Sequence, residues 1–205
     1  MLPAIVLAAG DSTRMGSPKA LLLTADGQPF VTSIVTAFAA AQVTDIVVVT
    51  GRHHEAIVDA VRTNALPVVP RLVRNTDPSR GQLSSLWVGM DAIPESAAAM
   101  LVTLVDVPLI SSMTVTAVIE AWRRTKAPVV RPALGDRHGH PVLFDRRVFD
   151  ALRSASLAEG AKAVVRRHAN ELVNVPVTDE RCLLDIDTPE DYRSLRVSST
   201  DSGRT

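Results

Sequence analysis

Short continuous apolar runs recur along the chain, each closed by a polar or glycine-containing loop. The first is Ala4-Ile5-Val6-Leu7-Ala8, which ends at Gly10. Apolarity that is continuous rather than alternating predicts a central parallel strand covered on both faces. Residues 45–50 (Asp45-Ile46-Val47-Val48-Val49-Thr50) and 98–105 read the same way, the latter running into Asp106. Between these runs the spacing becomes helical. Residues 30–42 place Ile34, Val35, Phe38 and Ala41 on one side, the stripe of a helix lying on a core. Further helices are predicted over 54–63, 81–90, 111–124 (capped by Ser111 or Ser112), 147–153, 160–168 and 188–195. Shorter strands are predicted at 66–69, 127–131, 141–144 and 171–175, with loops over 71–80 and 135–140.

Strands alternating with helices imply a mostly parallel sheet with helices on both faces. The expected fold class is therefore α/β, a three-layer α/β/α arrangement. In such sheets ligands sit beyond the carboxyl ends of the strands. Three features fall there: the loop after Ala8, Asp106, and the loop from Asn75 to Ser85. A length of 205 residues suits one α/β domain and is short for two. No internal repeat or interdomain linker is evident, so one domain is expected over 1–197. Residues 198–205 are polar without apolar periodicity and are expected to be a disordered tail.

Charge and cysteine content narrow the function classes. There are 22 basic and 22 acidic residues, a formal net charge of zero. No whole-chain electrostatic signal therefore points to nucleic acid or an anionic membrane; a small anionic ligand needs only a local positive site. Cys182 is the only cysteine, which excludes an intrachain disulfide and fits a reducing, cytoplasmic setting. The apolar stretch 2–9 has no basic leader and reads as a buried strand rather than a signal peptide. No run approaches the roughly 18 apolar residues of a membrane span. Trp87 and Trp122 fall on predicted helices and read as packing residues. His53, His54, His138 and His168 show no metal-ligand spacing.

The loop Gly10-Asp11-Ser12-Thr13-Arg14-Met15-Gly16-Ser17-Pro18-Lys19 concentrates small, hydroxyl and basic residues. A triphosphate needs backbone N–H donors that can come close, and cations that offset charge as pyrophosphate departs. Arg14 offers a planar fork of donors and Lys19 a compact point charge. From composition alone, a surface loop with two solvated cations is an equal alternative. The P-loop pattern and the dinucleotide pattern G-x-G-x-x-G are both absent.

The run Leu7-Ala8-Ala9-Gly10-x-Ser12-x-Arg14-Met15-Gly16-x-Pro18-Lys19 strongly resembles the signature of MobA-like NTP transferases, closest to the molybdenum cofactor cytidylyltransferases. The resemblance continues through Arg74-Asn75 to Gly81-x-x-Ser84-Ser85-Leu86, Leu104-Val105-Asp106-Val107-Pro108, Gly139-His140-Pro141-Val142-Leu143-Phe144 and Asp185-Ile186-Asp187-Thr188-Pro189-Glu190-Asp191-Tyr192. It implies a Rossmann-like, nucleotide-diphospho-sugar-transferase-like fold. It also implies that Leu7, Ala8, Ala9, Gly10 and Ser12 line the nucleotide, that Arg14 and Lys19 hold its phosphates, and that Asn75, Gly81, Ser84 and Ser85 meet base and ribose. Asp106 and Asp187 match the family's magnesium ligands. Read as residues only, Asp106 also reads as a turn or cap aspartate. Asp187-Thr188-Pro189-Glu190 also reads, more strongly, as a helix start with a capping glutamate and an early proline. Gly139 and His140 match part of the acceptor site.

The guanylyl-transferring branch carries glycine where this chain has Ala9, so the resemblance favours CTP. Two departures stand out. Asp77-Pro78-Ser79-Arg80 replaces a segment that often carries an aromatic residue, and Val107 stands where the cytidylyl branch has glutamine. The implied reaction is transfer of CMP from magnesium-bound CTP to molybdenum-molybdopterin, with Lys19, Arg14 and Asp106 at the chemistry. A molybdoenzyme or accessory protein is the implied partner. The alternatives are the same chemistry with another NTP or on a sugar, polyol or hydroxy-acid phosphate, and a non-catalytic nucleotide-binding protein for molybdoenzyme maturation. A nicotinamide-dependent oxidoreductase is least favoured, because the first loop lacks the dinucleotide fingerprint.

Overall fold

All five residues of β1 (Ala4–Ala8) are buried, as a strand apolar on both faces requires. β1 pairs in parallel with β2 (Ile46–Thr50) on one side and with β4 (Ala99–Leu104) on the other. The computed structural model describes residues 2–10 and 15–197; the predicted tail, 198–205, lies outside the described residues. β3 (Arg71–Arg74) extends the sheet beyond β2 in parallel. On the far side, β7 (Val142–Asp145) pairs antiparallel with β4 and with β5 (Val129–Leu134). The two-residue β6 (Arg137–His138) folds back antiparallel on β5, and β8 (Val173–Pro176) joins β5 in parallel. The order is β3-β2-β1-β4-β7-β5-β6, with β8 beside β5. Six of these eight strands run the same way and only β6 and β7 are reversed.

Because strand side chains alternate, the sheet has two cores. Ala4, Val6 and Ala8 pack with α1 (Phe30–Ala40), α2 (His54–Thr63), α4 (Ser112–Thr125) and α7 (Pro189–Val197), burying Phe30, Phe38, Ile57 and Val118. Ile5 and Leu7 pack with α3 (Gln82–Ala92), α5 (Phe149–Arg153) and α6 (Ala161–Arg167), burying Leu86, Met90, Leu152 and Val164. The arrangement is the expected three-layer α/β/α. Fully burying a side chain such as Phe38 contributes about 1.5–3 kcal/mol. Gly89 lets α3 rest directly on the sheet: a Cβ there would lie 2.6 Å from Ile5 Cγ2. No described helix is long and apolar enough to cross a membrane.

Three predicted elements move. The strand expected at 66–69 lies instead at β3, within the stretch expected to be loop. Pro67 and Pro70 flank the apolar pair and cannot donate to a ladder, and Val69 is 81% exposed. β3 succeeds because Leu72 and Val73 meet Val48 and Val49 in register. The predicted loop 135–140 contains β6, closed on β5 through Gly135 at φ +58°. The 127–131 strand runs further, to Leu134. Ser111 is the cap of α4, accepting from the Thr114 amide at 3.2 Å. Both tryptophans are packing residues with satisfied indoles, Trp87 on the Leu152 carbonyl (2.8 Å) and Trp122 on Asp145 (2.8 Å).

Asp145 is almost fully buried and also accepts from the Arg147 amide (3.1 Å) and Arg147 Nε (3.0 Å). Burial works to raise its carboxyl, but these hydrogen bonds outweigh it and leave it below the usual carboxylate range. A carboxyl lowered on folding adds stability above its unfolded pKa, near 4, which is lost as pH falls through the folded value. Asp145→Ala should lower stability by about 2–3 kcal/mol near neutral pH, largely by orphaning the buried indole N–H. The deficit should narrow in acid. Urea denaturation of both proteins at neutral and acid pH measures this, and a pH-independent deficit would remove the carboxylate as its cause.

The link between β6 and β7 is held at a second close approach. His140 N–H donates to the Cys182 carbonyl at 2.8 Å, and a Cβ on Gly139 would lie 2.2 Å from that same oxygen. Cys182 is fully buried, and burial followed by the Asp179 charge pushes its thiol up to about 11. The thiol should therefore resist labelling in the native protein at pH 8. Gly139→Ala must part the two segments, at a cost of about 1–3 kcal/mol, and should speed Cys182 labelling in a timed thiol titration. Unchanged stability and labelling would show that the contact carries no constraint.

Candidate active site

Beyond the carboxyl ends of β1, β2 and β4 lies a cleft of about 310 Å³. The β1 end contributes Leu7, Ala8, Ala9 and Gly10; the β4 end contributes Asp106. Lys19 enters on a 3-10 turn (Lys19–Leu21) after Pro18, and Gly81 and Ser85 enter at the start of α3. Ser12 and Arg14 lie outside the described residues. The strand ends are locked together, since Val105 N–H donates to the Leu7 carbonyl at 3.1 Å.

Asp187 reaches this cleft from the far end of the chain by a specific latch. Ile186 is buried in the core and its N–H donates to the Asp106 carbonyl at 2.8 Å. The following residues are fixed by a reciprocal cap on α7. Asp191 Oδ2 accepts from the Thr188 amide (2.8 Å) and the Asp187 amide (3.1 Å), while Thr188 Oγ1 accepts from the Asp191 amide (3.2 Å). The capping carboxylate is thus Asp191, three residues after Thr188, rather than the expected Glu190, which pairs with Arg193. The Asp187 carboxylate is left to face the cleft.

There the Lys19 ammonium donates to Asp187 Oδ1 at 2.5 Å and to Asp106 Oδ2 at 3.3 Å. Only 12% of the lysine side chain is exposed, so its charge requires paired carboxylates nearby. Asp106 Oδ1 is buried and has no hydrogen-bond partner among the described residues. A buried anionic oxygen without a donor is costly, and its chemistry suits a hard cation. Among the described residues no cluster of three or more His, Cys, Asp or Glu forms a closed metal cage. Magnesium takes one or two carboxylates and completes its shell with water and phosphate oxygens, so the Asp106–Asp187 pair fits a metal that arrives with a polyphosphate. Asp185 adds a third carboxyl. Loss of solvent, then the charges of Asp106 and Asp187, raise it against the opposing pull of His140 and Lys19.

The segment expected to meet base and ribose divides in two. Gly81 holds φ +93°, which only glycine adopts readily, and caps α3. Asn75 and Ser84 are buried behind it and outside the cleft lining. The Asn75 amide donates to Ser84 Oγ and Ser85 Oγ, both at 3.0 Å, and its carbonyl oxygen accepts from the Asp77 amide at 3.0 Å. Asn75 therefore ties the loop to α3, and Ser85 lines the cleft.

Gly139 and His140 lie in a neighbouring cavity of about 380 Å³, which shares Leu7, Gln82 and Leu104 with the first. Burial holds the His140 imidazole below its ordinary pKa, with Lys162 adding to this and the Val102 carbonyl, Asp185 and Asp106 opposing it. His140 is thus a neutral hydrogen-bonding group near neutral pH. Val107 is fully buried in the core and lines neither cavity, so the departure at that position changes packing there. The other histidines are scattered: His53 borders the first cleft, His54 Nδ1 meets Thr50 Oγ1 at 2.6 Å, and His138 borders the second cavity.

Several residues that shape or line the two cavities carry no sequence signal of their own. Gly51 stands after β2, where a Cβ would lie 2.5 Å from the Ala9 carbonyl; it lets two loops pack backbone to backbone and fixes the Ala9 peptide. Gln82 could have been found from its place beside Gly81. Arg131, Lys162 and Arg166 come together only in the fold.

Comparison with known proteins agrees with this fold. The MobA-like NTP transferase domain matches residues 4–172. The chain is 35% identical over 118 residues to the bifunctional protein GlmU of Sinorhizobium fredii, which covers 57% of this chain and 25% of that protein. It is 30% identical over 198 residues to nicotine blue oxidoreductase of Paenarthrobacter nicotinovorans, covering 93% of this chain and 95% of that one. Among solved structures, Rv0371c of Mycobacterium tuberculosis H37Rv superposes with a TM-score of 0.81 at 26% identity, over 96% of this chain and 97% of that one. The same protein has been solved in complex with manganese. The chain spans only a quarter of the GlmU relative's length, whereas the match to residues 4–172 covers most of its own: it belongs to the MobA-like NTP transferase family.

Proposed function

We propose that this chain transfers CMP from CTP to a phosphorylated acceptor, molybdenum-molybdopterin in the leading reading, and releases pyrophosphate in the cytoplasm. The observation that carries the reading is the Lys19 ammonium bridging Asp106 and Asp187 at the mouth of β1 and β4, beside an Asp106 Oδ1 that has no hydrogen-bond partner among the described residues. In the reaction a phosphate oxygen of the acceptor attacks the α-phosphorus of the nucleotide in line. A new P–O bond forms, the bond from the α-phosphorus to the bridging oxygen breaks, and pyrophosphate leaves with the electron pair. No covalent intermediate on the protein is needed, so the protein's work is alignment and charge stabilisation.

Asp106 and Asp187 would hold magnesium, which when bound supplies charge neutralisation on the phosphate oxygens. Lys19 is placed to exchange its carboxylate partners for phosphate oxygens, and Arg14 is assigned to the same task. The peptides of Ala8, Ala9 and Gly10 approach the nucleotide, with Ala9 held by Gly51. The manganese complex of the M. tuberculosis relative supports a divalent cation. Ala9, in place of the glycine of the guanylyl branch, supports CTP.

A second reading is favoured by one observation, the near full-length similarity to nicotine blue oxidoreductase. A reduced nicotinamide cofactor would then occupy the cleft. Against it stands the acidic pair around Lys19, which suits a metal–triphosphate better than a dinucleotide.

Thermal stability with magnesium and each of CTP, GTP, ATP, UTP, NADH and NADPH separates these readings. A ligand at 100 times its dissociation constant adds about 2.7 kcal/mol. CTP should give the largest shift, and Lys19→Ala should lose it. In a pyrophosphate-release assay Lys19→Ala should lose about 3 kcal/mol of transition-state stabilisation, roughly a hundredfold in rate. Asp106→Asn and Asp187→Asn should lose magnesium-dependent turnover. A response confined to NADH or NADPH would replace the transferase with the oxidoreductase.

A further inference from the structure

Tyr192 reaches out of α7 to a part of the chain 169 positions away. Its hydroxyl accepts from the Leu23 amide at 3.2 Å and donates to the Leu23 carbonyl at 3.0 Å. Leu23 lies in the short hairpin that follows the Lys19–Leu21 turn, where it bridges Pro29. The hairpin's own bonds run from Phe30 N–H to the Leu22 carbonyl and from Thr24 N–H to the Gln28 carbonyl, both at 2.8 Å. A residue flanked by such bonds turns its own N–H and C=O outward, and one phenol satisfies both. The ring is held as well, packed edge-on against the buried Phe30 with centroids 6.0 Å apart.

The same helix carries Asp187. Tyr192 N–H donates to the Thr188 carbonyl at 3.1 Å, and the Thr188–Asp191 cap fixes the Asp187 amide. Asp187 Oδ1 accepts from the Lys19 ammonium at 2.5 Å, and Leu22 N–H returns to the Lys19 carbonyl at 3.1 Å. These contacts close a ring, from Lys19 through Leu22 and Leu23 to Tyr192, then through Thr188 and Asp187 back to Lys19. The ion pair is one side of the ring and the phenol is the opposite side. An ammonium on a flexible four-carbon stem is placed only as well as its backbone is held. The turn that bears it is three residues long and has no side-chain cap, so it needs support from outside.

We propose that Tyr192 is a positioning residue: its hydroxyl sets the spacing between the Lys19 turn and α7, and so the place of the Lys19 ammonium between Asp106 and Asp187. What that placement does for the reaction rests on the transferase reading above. There Lys19 matters most as charge develops on the departing pyrophosphate, while the strand-end peptides and the Gly81–Ser85 segment hold the nucleotide in the ground state. Loosening the turn should therefore lower kcat and spare KM.

The test uses the full chain. Tyr192→Phe removes the hydroxyl and keeps the ring on Phe30, and Leu23 is exposed, so water can satisfy its peptide groups and the variant should fold. The chain has three lysines, Lys19, Lys126 and Lys162. The last two are exposed and serve as internal references for acetylation by sulfo-N-hydroxysuccinimide acetate, read by mass spectrometry without nucleotide. Lys19 should be acetylated about threefold faster or more in Tyr192→Phe, with Lys126 and Lys162 unchanged. In pyrophosphate release from CTP with molybdenum-molybdopterin, kcat should fall about tenfold and KM for CTP should stay within about twofold. Lys19→Ala/Tyr192→Phe should be no slower than Lys19→Ala, because a residue acting through Lys19 then has nothing left to place. An unchanged Lys19 labelling rate, a rise shared by all three lysines, losses that multiply in the double variant, or a change confined to KM would overturn the inference. Wild type that releases no pyrophosphate with any nucleotide would remove the transferase reading instead, and the labelling would still decide whether Tyr192 places Lys19.

Discussion

β1 can occupy the middle of the sheet only because each of its five side chains is apolar and small enough to be buried on its own face. That placement determines where the chemistry lies. A strand bonded in parallel to both neighbours sends three consecutive strand ends in one direction, so the loops after Ala8, Thr50 and Leu104 must share one edge. Two close backbone approaches then fix their spacing, Gly51 against the Ala9 carbonyl and the Val105 amide on the Leu7 carbonyl. The Ile186 latch on the Asp106 carbonyl adds the last part. Lys19 thus meets carboxylates 87 and 168 positions away in sequence. A polar substitution on either face of β1 would therefore disturb the site as well as the core, because these contacts are all set out from that strand.

The parts legible in the sequence share a physical property. β1, β2 and β4 are buried on both faces, so their apolar runs were uninterrupted. α1 and α4 carry long one-sided stripes. β3 was displaced because an edge strand needs only two apolar residues, and the more apolar pair beside it is bracketed by prolines. Residues of the first cleft were legible through the resemblance, since they lie in contiguous motifs. Even there the roles divide: Asn75 and Ser84 hold the loop while Ser85 lines the cleft, and hydroxyl spacing along a helix cannot distinguish these. Glu190 and Asp191 are adjacent acids that the sequence cannot tell apart as caps, and only the geometry around Thr188 selects the second. The basic wall was illegible, because Arg131, Lys162 and Arg166 are separated by intervening elements and carry no common motif.

A net charge of zero conceals a strong internal separation. Two carboxylates, Asp106 and Asp187, contact one ammonium at the end of β4, and a third carboxyl nearby, Asp185, is raised first by burial and then by the charges of those two. The second cavity, lined by Arg131, Lys162 and Arg166, is cationic. His140 lies between the two fields and responds to both, drawn up by Asp185 and Asp106 and down by Lys162, with burial deciding the outcome. The two cavities meet at the wall of Leu7, Gln82 and Leu104, so acidic groups on one side and basic groups on the other keep opposite charge in separate places.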